Sequence, residues 1–245
     1  MLKVELHAHT ADDPVDRIPY STIDLIDRAA SLGFGGLAIT LHARQLDIAP
    51  LEAHARSRGV VLIPGVEHTI HGKHVLLLNF PAGADRVTSF EELEALKAES
   101  HGLVIAPHPF YPSPSCLGRR LEAHAALFDA VELNAFYTRQ VNVFNQRASR
   151  WARRHGKPVV ACSDVHRLWQ LGTAYTLVNA PPDASAICHA IRAGRVEIRM
   201  SPITPRTAAT HLASLLLASL QSRVSRHRSK RHSPATFPAL SGQSR

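Results

Sequence analysis

Short apolar runs alternate with helically spaced stretches along most of the chain. The runs fall at 3–6, 36–40, 60–64, 75–80, 103–106, 130–133, 158–161 and 174–178. Several are rich in Leu or β-branched residues without strict alternation, the pattern of strands buried on both faces. Between them, 22–32, 90–100, 141–155 and 183–193 carry helical spacing. Ser21 or Thr22 offers an N-cap for the first and Ser89 precedes the second, while Gly33, Gly102, Gly156 and Gly194 follow the four in turn. This alternation predicts an α/β fold with a mostly parallel sheet, and seven or eight such strands can close as a barrel. The stretch 60–80 reads as two strands joined by a turn at Gly72-Lys73, so one antiparallel pair is expected.

Composition adds boundaries. A chain of 245 residues, 45% hydrophobic, suits one domain with a full core. No stretch approaches the ~20 apolar residues of a membrane span, and the N-terminus lacks the order of a secretory signal. The three cysteines, Cys116, Cys162 and Cys188, have no paired spacing, which predicts a cytoplasmic protein without disulfides. The net charge of +8 is uneven: from Arg206 onward there are seven Lys/Arg and no Asp/Glu, leaving about +1 on residues 1–205. The reading is therefore a near-neutral domain over 1–205, an apolar helix over 206–222 with Leu212, Leu215, Leu216, Leu217 and Leu220, and a basic, disordered tail over 223–245. The tail could touch anionic surfaces; the domain shows no charge that would grip a long nucleic acid.

The unusual count is 16 histidines, several of them beside carboxylates at the ends of apolar runs. His7-Ala8-His9 closes the first run, and residues i and i+2 of a strand point to one side, so both imidazoles can reach one metal ion. The run 36–40 leads into Leu41-His42, 60–64 into Gly65-Val66-Glu67, 103–106 into Pro107-His108-Pro109, and 158–161 into Ser163-Asp164-Val165-His166. In a barrel such strand ends converge on one face, where sites are built. A lone His-x-His is weak evidence; five endings with metal-ligand residue types are not readily explained by histidines that merely cap loops.

Taken in order, His-x-His, Thr-x-His, Pro-Gly-x-Glu, His-Pro and Ser-Asp-x-His resemble the polymerase and histidinol phosphatase (PHP) superfamily over roughly residues 2–180. The resemblance implies a distorted (β/α)7-like barrel, a cluster of two or three divalent metal ions (Zn, Mn or Fe) at the C-terminal strand ends, and hydrolysis of phosphate esters through a metal-bound hydroxide. It implies His7, His9, His42, Glu67, His108, Asp164 and His166 as ligands. An Asp in the loop after His9 and a His after Glu67 complete the family's set. Asp16 is chosen over Asp13 and Asp12, and His74 over His68 and His71. The implied groups are His7, His9, Glu67 and Asp164; Glu67, His74 and His108; and Asp16, His42 and His166, with Glu67 bridging two ions and Glu67 and Asp164 as the catalytic carboxylates. The sequence departs from the family's common Thr-Asp-His in Thr40-Leu41-His42.

Arg44, Arg139 and Arg167 lie just after ligands or strand ends and are candidates for gripping phosphate, each also readable as a solvated loop arginine. Trp151 is expected in the core, Cys162 as a buried structural thiol, and Lys73 as a solvated hairpin lysine. The expected substrate is a small phosphorylated molecule, with nucleic acid entering only as short ends. The alternatives are a nuclease trimming 5′ or 3′ ends of short oligonucleotides, an amidohydrolase-type reaction, and a non-catalytic metal-binding domain.

Overall fold

The apolar runs fold as strands of one curled sheet. The computed structural model describes residues 1–210. The runs become β1 (Leu2–Glu5), β2 (Gly36–Ile39), β3 (Val61–Ile70), β4 (Lys73–Leu78), β5 (Leu103–Ala106), β6 (Ala130–Asn134), β7 (Val159–Cys162) and β8 (Ala174–Val178). A further strand, β9 (Val196–Met200), escapes an apolar-run criterion because Glu197 and Arg199 alternate with its apolar residues. Helices α1 (Thr22–Ser31), α3 (Phe90–Glu99), α5 (Val143–Arg154) and α6 (Ala184–Arg192) stand where the spacing puts them. Ser21 caps α1 in a reciprocal capping box with Asp24, and Asp183 caps α6 by accepting from the Ala186 amide at 2.8 Å. Helix α2 (Ala49–Ser57) buries only Ala55 and the single-turn α4 (Arg120–Ala123) only Leu121, so neither carries a periodic signal.

The strand order is β7-β6-β5-β4-β3-β2-β1-β8-β9. The sheet is mixed, not mostly parallel. β1-β2, β2-β3, β5-β6 and β6-β7 are parallel. The expected hairpin makes β3-β4 antiparallel, and it then forces β4-β5 antiparallel as well. β8 also runs antiparallel to both β1 and β9, because the connection from β7 is too short for a crossover helix. The sheet nearly closes into a barrel. At the seam, the Thr176 hydroxyl of β8 accepts from the Ala161 amide of β7 at 2.9 Å and donates to its carbonyl at 3.0 Å. Nearer the C-terminal ends, an isolated parallel bridge joins Ala8 to Val165.

One apolar cluster gathers strand residues such as Val4, Ala38, Ile63, Leu76 and Ile105 around Ile187, Cys188, Ala190 and Ile191 of α6. A second lies between β1–β3 and helix α1, a third between the β4–β6 side and α3, α5 and the 117–128 segment. Trp151 is in the third, with its indole N–H donated to Glu122 at 2.7 Å. All three cysteines are buried and free. No helix among the described residues is long and apolar enough to cross a membrane.

Residues 1–203 form one compact unit and the chain from Thr204 a second. In the second, residues 205–210 are helical, and the Thr204 hydroxyl accepts from the Thr207 amide at 3.1 Å. Beyond residue 210, the rest of the expected apolar helix (206–222) and the whole basic tail (223–245) lie outside the described residues.

Candidate metal centre

The site is built where strands overrun the barrel and keep alternating. Ala8 and Val165 are fully buried in the apolar layer under α1, so His7, His9, Asp164 and His166 are turned the other way. The two segments are locked by the His9 amide donating to the Val165 carbonyl at 3.0 Å and the Val165 amide to the His7 carbonyl at 3.1 Å. A second parallel bridge joins His42 to Glu67. Gly65, two residues before Glu67, is required by packing: a Cβ there would sit 2.9 Å from both Leu78 Cδ2 and Thr40 Cγ2. His108 and Asp164 hold positive φ angles of 50° and 51°, and Ala43 beside His42 holds 51°. Such conformations cost on the order of 1–3 kcal/mol in a non-glycine residue and concentrate at functional sites.

Glu67 is the hub and is almost fully buried. Its Oε2 lies 3.2 Å from His7 Nε2, 3.4 Å from His9 Nε2 and 3.1 Å from His42 Nε2. Its Oε1 lies 2.7 Å from His74 Nδ1 and 3.2 Å from His108 Nε2. Asp164 Oδ1 is 3.4 Å from His7 Nε2, 3.6 Å from His9 Nε2 and 3.4 Å from His166 Nδ1. The seven residues expected to converge do so, and His74 joins them. Four triads bring ligand atoms within 4.8 Å of one another: His7-His9-Glu67, His7-His108-Asp164, His42-Glu67-His74 and His9-His42-His166.

The outer faces of the imidazoles are tied to carboxylates. His7 Nδ1 is 2.8 Å from Glu132, and His9 Nδ1 and His42 Nδ1 are 2.9 and 3.0 Å from the same oxygen of Asp13. A proton donated outward from each Nδ1 leaves each Nε2 lone pair facing the centre, the arrangement of metal-ligating histidines. The buried atoms His7 Nε2, His9 Nε2 and Asp164 Oδ1 make no hydrogen bond in the structure. Buried polar atoms are nearly always satisfied, so three orphans aimed at one another mark a place for cations. The mixed imidazole and carboxylate donors fit zinc, manganese or iron.

Electrostatics agree. Burial alone would raise the Glu67 carboxyl, but His7, His108 and His42 hold it well below the usual carboxylate range. Asp164 is held down in the same way by His7, His9 and His166 against its burial. Burial would lower His42, yet Asp13 and Glu67 push it up to about 10. Protons are thus held tightly where positive charge is needed, the role a divalent cation takes over.

Asp16 lies outside the four triads; its Oδ2 is 3.1 Å from His166 Nε2 and 3.9 Å from His42 Nδ1. Asp13, ranked behind it, is the buried partner of His9 and His42. His68 donates to or accepts from no ligand and instead meets the Val87 carbonyl at 2.6 Å, while His71 sits in the hairpin turn at φ 47°. Arg44, Arg139 and Arg167 are exposed; Arg44 approaches Asp12 at 3.9 Å, and none pairs with a ligand carboxylate. Glu132 and Glu5 were not anticipated from the pattern. Glu132 orients His7, and Glu5 accepts from the amides of Leu6, His7 and Ser163 at 3.0–3.2 Å, its carboxyl pushed up to about 8 by burial. The signal was a glutamate inside an otherwise apolar strand, Ala130-Val131-Glu132-Leu133 and Val4-Glu5-Leu6.

Comparisons with known proteins bear on the fold. A family model described as PHP-associated matches residues 142–196. No curated protein matches the chain by sequence. Among solved structures, PsfC from Pseudomonas syringae is similar at 18% identity and TM-score 0.63, over 89% of this chain and 98% of that one. A protein assigned as a metal-dependent phosphoesterase from Bifidobacterium adolescentis is similar at 18% identity and TM-score 0.52, over 67% and 87%. The lesion-specific endonuclease PfuEndoQ from Pyrococcus furiosus is similar at 17% identity and TM-score 0.57, over 84% and 60%.

Proposed function

We propose that this chain is a phosphoesterase of the PHP superfamily that hydrolyses a phosphate ester of a small molecule with two or three divalent ions bound, a reading supported by its PHP-associated segment and by the barrel it shares with its structural neighbours. The observation that carries the reading is the set of orphaned donors, His7 Nε2, His9 Nε2 and Asp164 Oδ1, around a glutamate shared by five imidazoles. Bound there, the ions would act as Lewis acids and lower the pKa of water toward ~7.

The residues proposed to hold them are His7, His9, Glu67 and Asp164; Glu67, His74 and His108; and His42 and His166 with Asp16. Glu67 can serve two groups at once because its two oxygens face different histidines, Oε2 toward His7, His9 and His42 and Oε1 toward His74 and His108. Asp13 and Glu132 hold the imidazoles in one tautomer and orientation. Asn134 donates to Asp164 Oδ2 at 3.1 Å and leaves Oδ1 for the centre. Arg44, Arg139 and Arg167 stand on loops that follow β2, β6 and β7 and are proposed to meet the substrate's phosphate. The neighbours described as a metal-dependent phosphoesterase and an endonuclease support phosphoester chemistry; one described as an amidohydrolase makes an amide or ester substrate the reading to test against it.

The test is a panel of phosphomonoesters, dinucleotides, short oligonucleotides, amides and lactones with the chain loaded with Mn²⁺, Fe²⁺ or Zn²⁺. The expected result is turnover of a phosphomonoester that chelation abolishes and divalent metal restores. Turnover confined to amides or lactones would overturn the phosphoesterase reading.

A further inference from the structure

Large apolar side chains in water are ordinary when they are scattered. In this chain they are gathered. The large hydrophobic residues that stay exposed among the described residues are Met1, Val15, Ile23, Val141, Val143 and Trp169. All but Met1 stand on the segments that follow β1, β6 and β7, or in the first turn of the helix that follows. These are the strand ends that carry His7, His9, Asp164 and His166, so the five share the mouth of the candidate metal centre. The segments are joined there: Asp16 Oδ2 meets His166 Nε2 at 3.1 Å, and the Ala135 amide donates to the Cys162 carbonyl at 3.1 Å.

The exposure is built into fixed turns. The Val141 amide donates to the Thr138 hydroxyl at 3.0 Å while the Val141 carbonyl accepts from the Thr138 amide at 3.1 Å. Trp169 lies between Arg167 and Gln170, whose side-chain oxygen accepts from the Arg167 amide at 2.7 Å and the His166 amide at 2.9 Å. Trp169 is 50% exposed, whereas Trp151, the other tryptophan, is 4% exposed.

Charge narrows the choice of partner. Arg17, Arg139 and Arg167 are exposed on the same segments and pair with no carboxylate among the described residues. The acids nearby are engaged: Asp12 accepts from the Thr22 hydroxyl at 2.9 Å, Asp16 faces His166, and Asp24 closes the capping box of α1. A second copy docked symmetrically would set these arginines against their own kind. An anionic surface would not. The chain also leaves the barrel on this face. β9 ends at Met200 opposite Ala174, the Ser201 amide donates to the Thr173 carbonyl at 2.8 Å, and the Ile203 amide donates to the Tyr137 carbonyl at 2.9 Å. Further along the sequence come the leucines of 212–220, then five Lys/Arg and no Asp or Glu over 223–231. Apolar residues beside a basic cluster are the composition that recognises an anionic lipid surface.

We propose that the mouth of the barrel is an interaction surface for an anionic lipid bilayer, with Trp169, Val141 and Val143 entering at headgroup depth and Arg17, Arg139 and Arg167 meeting lipid phosphates. Tryptophan suits that depth, because its ring is apolar and its N–H can stay wet. The proposal does not rest on the phosphoesterase reading, since binding is measured without turnover.

The experiment mixes the full chain with sedimenting vesicles of phosphatidylcholine alone and of an equimolar mixture with phosphatidylglycerol. Binding to the mixture is expected to be at least tenfold tighter than to phosphatidylcholine and to weaken with salt. Tryptophan emission should shift to the blue on binding and be quenched by lipids brominated on their acyl chains, and Trp169 is the indole placed to respond. Trp169→Ser/Val141→Ser should weaken sedimentation at least tenfold with unchanged metal content. Thermal unfolding checks that variant, and Trp169→Ala alone replaces it where the pair prevents folding. No binding to the anionic vesicles, or equal binding to neutral ones, would overturn the proposal. Binding that survives both substitutions without quenching in the wild type would show that another part of the chain holds the lipid, and would overturn the mouth as the surface. Binding of soluble polyglutamate in place of vesicles, or a dimer that the substitutions dissolve, would give the face to an acidic protein or to a second copy and equally overturn it.

Discussion

Asp13 and Glu132 reach the centre only through histidines, yet they govern the direction of its lone pairs. One Asp13 oxygen accepts from the rings of His9 and His42 and also from the His42 amide at 2.9 Å. Asp13→Asn should therefore lower metal affinity by about 10–100-fold, more than Asp16→Asn, whose carboxylate is half exposed and faces His166 alone within 3.5 Å. Equilibrium metal titration checks the order, and equal losses would show that Asp13 does not orient its two rings. Asp13 ranked behind Asp16 in the sequence because a loop Asp before Pro14 reads as a turn former; only the fold shows its carboxylate between His9 and His42. A second residue-scale prediction concerns pH. His42 has its proton held up to about 10, chiefly by Asp13 and Glu67 acting against burial. Its folded pKa is raised, so the stability it contributes is complete below the unfolded value of ~6.5 and is lost as pH rises toward the folded one. Metal-free protein should lose thermal stability from pH 6.5 to about 10, and metal-loaded protein should not, because a cation replaces the proton. Parallel pH profiles with and without metal would contradict this.

At the scale of elements, the strands were legible because buried runs are continuous and their ligand-bearing ends stand out against them. The hairpin at Gly72 was legible too, and it accounts for two of the antiparallel pairs. The direction of β8 was not, since an apolar run says nothing of its orientation, and β9 was lost to alternation with Glu197 and Arg199. Helix α2 buries a single side chain and leaves no stripe to read. The element that most constrains the site is the close crossing of β2, β3 and β4 at Gly65, where an added methyl meets Leu78, Thr40 and the Ile39 carbonyl within 3.0 Å. Gly65→Ala should cost about 1–3 kcal/mol by overpacking and should weaken metal binding as well, because Glu67 is two residues away. Chemical denaturation with metal titration checks both; a stable variant with native affinity would show that the strands have room to yield.

Over the whole molecule, the division into a neutral domain and a cationic end predicts that deleting 223–245 leaves metal content and turnover of a small substrate unchanged, because every ligand-type residue at a strand end precedes residue 170. A loss that persists at high salt would place the tail in the reaction. The candidate site was legible as a set because five strand ends carried ligand types, whereas the glutamates behind the histidines were hidden inside apolar runs. The central claim is that Glu67 joins two metal positions, since one oxygen faces His7, His9 and His42 and the other faces His74 and His108. The most direct measurement is metal stoichiometry by elemental mass spectrometry on wild type and Glu67→Gln after identical loading and desalting. The account predicts at least two ions per wild-type chain, and a folded variant that loses more than one of them together with its turnover. A Glu67→Gln chain that keeps the wild-type complement of metal would contradict it.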